Sequence, residues 1–206
     1  MYSNKPAAVI IFFSALLIFN ARLAAQDSTE VNVQQKGKYA FILYAGGGWF
    51  SYVGTIGSPG IASNTSVVRS HPIGMFRIMW HPDHRLRMGI ESGYTDFYTY
   101  TVQNGSSSGK VNLTGIPILL VGSMAVTKRL NVFAGIGSYL LTTNLTYKGS
   151  TRSKSLSLGI NASVNYVQPV SPKLGIGAEL KWTDVTQTKD YGMSAQVMLV
   201  WKFFEW

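Results

Sequence analysis

The sequence predicts an all-β fold, an eight-stranded antiparallel up-and-down transmembrane β-barrel. Three observations predict it: apolar and polar residues alternate over long stretches, similar short turns recur at a fixed interval, and longer Gly/Ser-rich connections lie between those turns. Alternation with a period of two indicates strands with one apolar and one polar face. Short turns at one end and longer loops at the other are the arrangement of β-barrels that cross the outer membrane.

The chain begins with an apolar stretch that is typical of a secretory signal. Residues 7–19 read AAVIIFFSALLIF, which as a helix reaches only about 20 Å across a hydrocarbon core of about 30 Å. Lys5 precedes the run, and a small-residue pair that ends at Ala25 precedes Gln26. We therefore expect cleavage between Ala25 and Gln26; the alternative is an uncleaved N-terminal anchor.

This cleavage divides the chain into a signal peptide over 1–25, a short extension over 26–37 and an outer-membrane β-barrel domain over 38–206. The expected location is the cell outer membrane, reached by export. No apolar run after the signal approaches the roughly 18 residues of a transmembrane helix. Gly, Ser, Thr, Asn, Tyr and Phe are abundant there instead, which favours many strands and turns.

The composition limits the chemistry of the chain. There is no cysteine, which excludes disulfides, thiolate metal sites and a lipidated cysteine. Eighteen basic against nine acidic residues give a net charge of +9, but export and the scatter of these charges argue against a nucleic-acid partner. Outer-membrane lipid, including lipopolysaccharide phosphate, is the more natural anionic partner. The alternative is that the charges only keep the loops soluble.

The short turns form a repeat. They read HPDHRLRMGI, TKRLNVFAGI and VSPKLGIGAEL, and each places a basic residue before a leucine that starts a Gly-containing apolar strand. The leucines Leu86, Leu130 and Leu174 are 44 residues apart. A period of 44 accommodates two long strands, a loop and a tight turn, whereas a propeller blade would need four strands.

Eight strands follow from these turns and loops, and their even number places both chain ends on the short-turn side. Each is long enough to cross a membrane at a tilt, which needs about 9–11 residues. The predicted strands cover 39–53, 68–80, 86–100, 111–126, 131–147, 154–168, 174–185 and 191–204.

The two faces of these strands differ in kind. In the last strand Met193 and Ala195 share an apolar face, while Gly192 and Ser194 share the other. A soluble lipocalin-like barrel would turn the apolar face inward, but its solvated face should then be rich in Lys and Glu. Small polar residues instead fit the narrow interior of an eight-stranded barrel, so we place the apolar face outside. The strand that contains Pro117 is apolar on both faces and is ambiguous.

The apolar face ends in an aromatic residue at several strands, which suits the aromatic girdles at the two lipid–water interfaces. The girdle candidates are Tyr94, Tyr166, Trp182, Tyr191 and Trp201.

Alternation points several charged residues into the lumen, where a lone charge would be costly and acids should pair with bases. One interpretation is a polar relay or a small gated channel. The interpretation we favour is a plug of ion pairs, because eight strands leave little free bore. The lumen candidates are Arg77, Arg87, Glu91, Glu179, Lys181 and Lys202.

Three stretches carry a family resemblance: IGMFRIMWHPDHRLRMGIESGY, LTGIPILLVGSMAVTKRLNVFAGIGSYLL and AQVMLVWKFFEW. They resemble the small outer-membrane β-barrel proteins abundant in Bacteroidetes, a group that includes PorT-like proteins and is similar in kind to OmpX- and OmpA-like eight-stranded barrels. The resemblance implies export and insertion by the outer-membrane barrel assembly machinery, which reads a terminal aromatic residue. Here Phe203 is in phase with the outward face, whereas Phe204 and Trp206 are not.

No catalytic, cofactor or metal site is predicted. His81 and His84 flank Asp83 in a short turn, where a turn role is favoured over a metal site. His71 neighbours Ser70, but adjacent strand residues point to opposite faces and cannot form a dyad without a bulge. The predicted protein is therefore not an enzyme.

The function that the sequence favours is a non-enzymatic outer-membrane protein with a structural or surface-interaction role, exposed loops and a plugged lumen. The alternatives are a PorT-like secretion or assembly accessory protein, a lipid A-modifying enzyme and a small pore. The sequence identifies no specific protein partner.

Overall fold

The computed structural model divides the chain into two units, Met1–Gly37 and Lys38–Trp206, and the second holds every residue described here. The expected cleavage site at Ala25 and Gln26 lies outside the described residues. No helix within the described ranges has the length and hydropathy needed to cross a membrane. The structure describes residues 39–54, 64–82, 86–104, 107–147, 149–188 and 191–206.

The described part of the second unit is built almost entirely from strands, with one short 3₁₀ turn at Thr186–Thr188. The strands are β1 (Ala40–Val53), β2 (Asn64–Val68), β3 (Ser70–His81), β4 (Leu86–Asn104), β5 (Ser107–Ala125), β6 (Leu130–Thr146), β7 (Ser150–Pro169), β8 (Leu174–Val185) and β9 (Tyr191–Glu205).

The strands close into a ring. Their order is β2-β4-β3-β1-β9-β8-β7-β6-β5, and a second pairing of β4 with β5 joins the two sides. All of these pairings are antiparallel, and β1 meets β9 with Ala40 opposite Glu205. The short β2 lies outside the ring, because it pairs only with the far end of β4. The predicted eight-stranded antiparallel up-and-down barrel is confirmed.

The 44-residue repeat corresponds to one hydrogen-bonded turn that is used twice in the described chain. The hydroxyl of Thr127 accepts a hydrogen bond from the Leu130 amide, and the hydroxyl of Ser171 accepts one from the Leu174 amide, each at 3.0 Å. A side-chain oxygen that satisfies a backbone amide holds the chain in a tight turn. Asp83 occupies the equivalent position of the first turn, which lies outside the described residues.

The loop ends of the strands extend further than the sequence predicted. Residues 101–104 and 107–110, which the sequence placed in a loop between two strands, are instead paired backbone, with Asn104 opposite Ser107. The predicted second strand over 68–80 is interrupted at Arg69 and continues backwards as β2. Extended pairing is favourable on the β4 side, where residues 97–102 read FYTYTV and consist of aromatic and β-branched residues.

These extensions form a sheet that projects beyond the ring, which we call the protruding sheet. It consists of β2, residues 97–104 of β4, residues 107–114 of β5, residues 142–146 of β6 and residues 150–155 of β7. Residues 150–158 of β7 pair with β6 but with no other described strand, because β8 pairs only from Gly159 onward.

The polar face of the ring lies inside and the apolar face outside. In β7 the buried residues include Asn161 and Asn165, while Leu156 and Leu158 are each 66% exposed. Phe97 keeps the inward phase of Glu91 and Thr95 and is buried, and the bulge between Asp96 and Tyr98 changes the phase of β4 beyond it, where Tyr100 is buried. This orientation agrees with the predicted arrangement of faces.

Candidate functional site: the barrel interior

Four charged side chains meet in the middle of the barrel, and we call them the charge cluster: Arg77 of β3, Glu91 of β4, and Glu179 and Lys181 of β8. Arg77 donates from Nε to Glu91 Oε2 at 2.8 Å and from Nη1 to Glu179 Oε2 at 3.0 Å. Lys181 Nζ donates to Glu91 Oε1 at 2.7 Å and lies 3.3 Å from Glu179 Oε1. Two cations thus alternate with two anions in a closed square of neutral total charge.

The charge cluster crosses the bore. β4 and β8 are four strands apart in either direction around the ring, so they face each other across the lumen. The 2.7 Å contact between Lys181 and Glu91 therefore joins opposite walls. At this height the barrel has no open passage along its axis.

Neutral partners complete the charge cluster. Asn161 Nδ2 donates to Glu91 Oε1 at 2.9 Å, and Asn165 Nδ2 donates to Glu179 Oε2 at 3.3 Å. The Arg77 guanidinium lies 4.1 Å from the centre of the Phe133 ring, a cation–π geometry. Buried charges are tolerated only when such partners replace lost hydration. All four charged side chains are at most 4% exposed, so they have lost nearly all contact with water and depend on these partners.

Aromatic rings close the bore above and below the charge cluster. On the loop side Phe97 contacts Phe50 and Tyr139, with ring centroids 5.5 and 6.2 Å apart. On the turn side Tyr44 meets Phe133 edge to face at 5.7 Å. Tyr44 lies on β1 and Phe133 on β6, which are also opposite strands. The lumen is thus crossed at three heights.

Inward glycines make room for these rings. A Cβ atom on Gly159 would lie 2.6 Å from Cε2 of Tyr139, and one on Gly115 would lie 2.7 Å from Cε2 of Phe97. These distances are far below van der Waals contact, which is about 3.5–4.0 Å between carbon atoms. Gly159 and Gly115 therefore leave the space that the neighbouring aromatic rings occupy.

The structure brings four of the six predicted lumen charges together and places the other two elsewhere. Arg87 is half-buried nearer the turn end, where Nη1 donates to Asn131 Oδ1 at 2.9 Å. Lys202 lies at the rim, with Nζ 3.6 Å from Glu205 Oε1. Arg87 and Lys202 therefore belong to the turn-side end of the barrel, apart from the charge cluster.

The five predicted girdle residues lie at two levels. Tyr94, Trp182 and Tyr191 lie on the loop side, where the rings of Trp182 and Tyr191 are 6.5 Å apart. Tyr166 and Trp201 lie on the turn side, and the Tyr166 hydroxyl accepts a hydrogen bond from Arg129 at 3.3 Å. All five are exposed or half-buried on the outer face.

The histidines do not assemble with catalytic partners in the described ranges. His71 Nε2 lies 3.1 Å from the carbonyl oxygen of Val68, and His81 is half-buried at the end of β3. His84 and Asp83 lie outside the described residues. Within the described ranges no group of three or more His, Asp or Glu side chains could hold a metal ion.

Sequence reasoning missed the aromatic layers. It treated the inward face as polar, yet Phe50, Phe97, Phe133 and Tyr139 are among its most buried members. The available signal was the pairing of inward glycines with inward aromatic residues on neighbouring strands. That signal depends on the register between strands, which the alternation within one strand does not give.

Comparison with known proteins finds similarity in structure only. No protein-family model matches the chain, and no curated protein matches it. Ail of Yersinia pestis, solved with the heparin analogue sucrose octasulfate, is 8% identical with a TM-score of 0.45 and covers 84% of this chain and 100% of its own.

Two further solved structures show the same degree of similarity. The Neisserial surface protein A is 16% identical with a TM-score of 0.37, over 82% of this chain and 100% of its own. The outer membrane protease OmpT of Escherichia coli is 12% identical with a TM-score of 0.43, over 85% of this chain and 99% of its own. The chain is thus distantly similar to small outer-membrane β-barrels.

Proposed function

We propose that this protein is a non-enzymatic outer-membrane β-barrel with a closed interior, which holds a protruding sheet on the cell surface for interaction with other molecules. The observation that carries the proposal is the combination of an apolar outer face with a bore that is crossed at three heights. A barrel of this kind is anchored by lipid and does not act as a passage.

The outer face has the height of a bilayer. On both β4 and β8 an outward aromatic residue is followed two positions later by an outward aspartate, Tyr94 before Asp96 and Trp182 before Asp184. Each aspartate is ten residues beyond the leucine that starts its strand. Ten strand residues span about 33 Å, or roughly 25 Å along the axis at a tilt of about 40°. This matches the apolar band of about 25 Å that outer-membrane barrels present.

An aqueous location would leave this face without a partner. Leu120, Ile136, Leu156, Leu158 and Leu180 are each about 60% exposed or more. Soluble monomers rarely expose contiguous apolar patches above a few hundred Å². Lipid contact around the ring supplies the missing partner.

The protruding sheet carries basic residues directly above the apolar band. Leu140 and Leu156 form the outward pair just before this sheet begins, and the next outward pair, Thr142 with Lys154, belongs to the sheet. Arg152 follows, and its Nε donates to Asn144 Oδ1 at 2.9 Å. This position suits the phosphate groups of outer-leaflet lipid, including lipopolysaccharide, because long basic side chains reach toward headgroups.

The end of the chain is proposed to guide assembly. Tyr39 and Trp206 exchange two backbone hydrogen bonds of 3.0 Å, which join the chain end to the seam of the ring. Phe203, Phe204 and Trp206 are all exposed there. These aromatic side chains are available to the outer-membrane barrel assembly machinery.

The test of the proposal is a pair of measurements on protein purified from outer membranes. We expect the unboiled protein to migrate differently from the boiled protein on SDS gels, because closed barrels resist SDS until heated. In planar bilayers we expect no stepwise conductance. A soluble, heat-insensitive protein would overturn the barrel assignment in cells, and regular conductance steps would overturn the closed interior and favour a small pore.

A PorT-like accessory role in secretion or assembly is the second candidate, supported by the three stretches that resemble that group. Normal secretion in a strain that lacks this protein would argue against the accessory role. Lipid A modification would need a base beside a nucleophile at the rim, and His71, the rim histidine among the described residues, bonds a backbone carbonyl instead. An unchanged lipid A mass spectrum after deletion would dispose of it.

A further inference from the structure

We propose that the turn-side mouth of the barrel binds an amphiphilic anion, an oxyanion that carries a short alkyl chain. The site is separate from the protruding sheet, and it requires only that the barrel forms. It is assembled from two adjoining cavities, an apolar floor and a basic rim.

The two cavities share one wall. Both are open at the mouth; the larger has a volume of about 270 Å³ and reaches inward to Tyr44, while the smaller has a volume of about 130 Å³ beside the turn at Pro172. Residues that line both are Ile42, Val167, Pro169 and Val200. The shared wall is entirely apolar, so it offers a hydrocarbon chain a continuous surface.

Basic residues surround this apolar wall on both sides. Arg87 and Lys128 line the larger cavity, and Lys173 and Lys202 line the smaller one. Within the described residues the acid at this end of the barrel is Glu205, which is 3.6 Å from Lys202. The mouth therefore has an excess of positive charge, unlike the neutral charge cluster above it.

Polar atoms in the larger cavity lack charged partners. Arg87 bonds the neutral amide of Asn131, and no described acid forms an ion pair with it. The Nε2 atom of His81 is buried without a hydrogen-bond partner in the described chain. Buried polar atoms of this kind normally have partners. An oxyanion beside Arg87 and His81 would satisfy both.

The size of the cavities limits the ligand. Sites for small molecules usually enclose about 300–1,000 Å³, and the larger cavity lies just below this range. A whole phospholipid or lipid A is too large, whereas a carboxylate or phosphate with a short alkyl chain fits. The oxyanion would lie between Arg87 and Lys128, and the alkyl chain would lie along Ile42 and Val200.

The experiment uses the full-length protein in zwitterionic lipid nanodiscs, with NMR signals of the His81 ring and of the Ile42 and Val200 methyl groups as the readout. Hexanoate, acetate, hexyl phosphate and hexylammonium are titrated separately. Hexanoate should bind at least tenfold more tightly than acetate, since each fully buried methylene adds about fourfold in affinity. Hexylammonium should produce no saturable shift, because the rim is basic.

The matched variants are Arg87→Gln in the mouth and Arg152→Gln on the protruding sheet. Removal of a hydrogen bond from a charged group costs about 1.5–3 kcal/mol, or roughly tenfold to hundredfold in affinity, so R87Q should lose hexanoate binding by that factor. R152Q should bind as the wild type does. Both variants should keep the heat-dependent shift on SDS gels, which shows that the barrel is intact.

The remaining outcomes decide the proposal. Tighter binding of hexyl phosphate than of hexanoate identifies phosphorylated alkyl groups as the ligand class, and the reverse order identifies carboxylates; both support an amphiphilic anion. Equal affinity of R87Q and wild type, equal affinity of acetate and hexanoate, or saturable binding of hexylammonium would each overturn it. None of these results depends on surface interaction by the protruding sheet.

Discussion

The middle of the barrel and its turn-side mouth both contain arginine and lysine, but the partners of these side chains differ between the two regions. In the middle, Arg77 and Lys181 each contact two glutamates and are almost fully buried. In the mouth, Arg87 contacts a neutral amide and Lys128 is exposed. The difference teaches that a charge inside a barrel is structural when its partners come from the chain. A charge without such partners is available to a ligand.

The largest effect should follow from removal of one member of the charge cluster. Glu91→Ala leaves Arg77 and Lys181 each with a single acid, and loss of one partner from a buried ion pair costs about 3–5 kcal/mol. We expect the free energy of unfolding to fall by that amount, measured by urea titration in liposomes. An unchanged midpoint would mean that the interior is hydrated and that the middle resembles the mouth.

An exchange variant sharpens the same comparison. Glu91→Lys with Lys181→Glu keeps one opposite charge on each wall, so it should recover part of the stability that Glu91→Lys alone loses. The coupling between the two positions should be about 0.5–3 kcal/mol in a double-mutant cycle. A coupling near zero would contradict the contact across the bore.

A smaller effect is expected from the glycines that face aromatic rings. Gly159→Ala places a methyl group against Tyr139, and overpacking typically costs about 1–3 kcal/mol. Gly74→Ala is the matched control, because a Cβ atom there would have no neighbour within 4 Å. The comparison is made on heat-dependent gel migration. If both variants lost the folded gel band at the same temperature, the loop-side aromatic layer would accommodate the added methyl group without a loss of stability.

The next effect concerns the basic residues of the protruding sheet. Lys154→Gln with Arg152→Gln should weaken the binding of purified lipopolysaccharide, since each basic residue near an anionic surface contributes about 1 kcal/mol. Lys128→Gln, at the opposite end, serves as the control. Titration at two salt concentrations checks the electrostatic origin, because exposed charges are screened by salt. Equal loss in the control would remove the assignment to the sheet.

The smallest effect should come from the exposed pair at the rim. Glu205→Gln removes the 3.6 Å contact with Lys202, whose side chain is 32% exposed. Exposed ion pairs contribute about 0–1 kcal/mol, so the unfolding midpoint should barely move. A loss as large as that of Glu91→Ala would erase the distinction between buried and rim charges.

The ring of strands could be predicted from the sequence because its causes are local. The period of two follows from backbone geometry. The turns repeat because Thr127 and Ser171 each accept a hydrogen bond from the backbone amide three residues later, at equivalent positions of two successive repeats. The inward direction of Arg77 and Glu91 followed from the same alternation.

Height along the barrel could not be predicted in this way. Arg77 and Arg87 both point inward, yet only Arg77 reaches the charge cluster. Which inward residues share a level depends on the stagger between strands and on bulges such as that at Phe97. Neither is visible in the pattern of one strand, so the aromatic layers and the mouth emerged only from the structure.

The contact between Glu91 and Lys181 has a consequence for the order of assembly. The two residues are 90 positions apart in the chain, and β8 reaches its place opposite β4 only after the intervening hairpins have formed. Until then the first half of the barrel holds Arg77 and Glu91 as a neutral pair that lacks its further partners Glu179 and Lys181. Completion of the charge cluster and closure of the β1–β9 seam therefore both require the second half of the barrel, and an unfinished barrel holds charges with too few partners, which disfavours its transfer out of water.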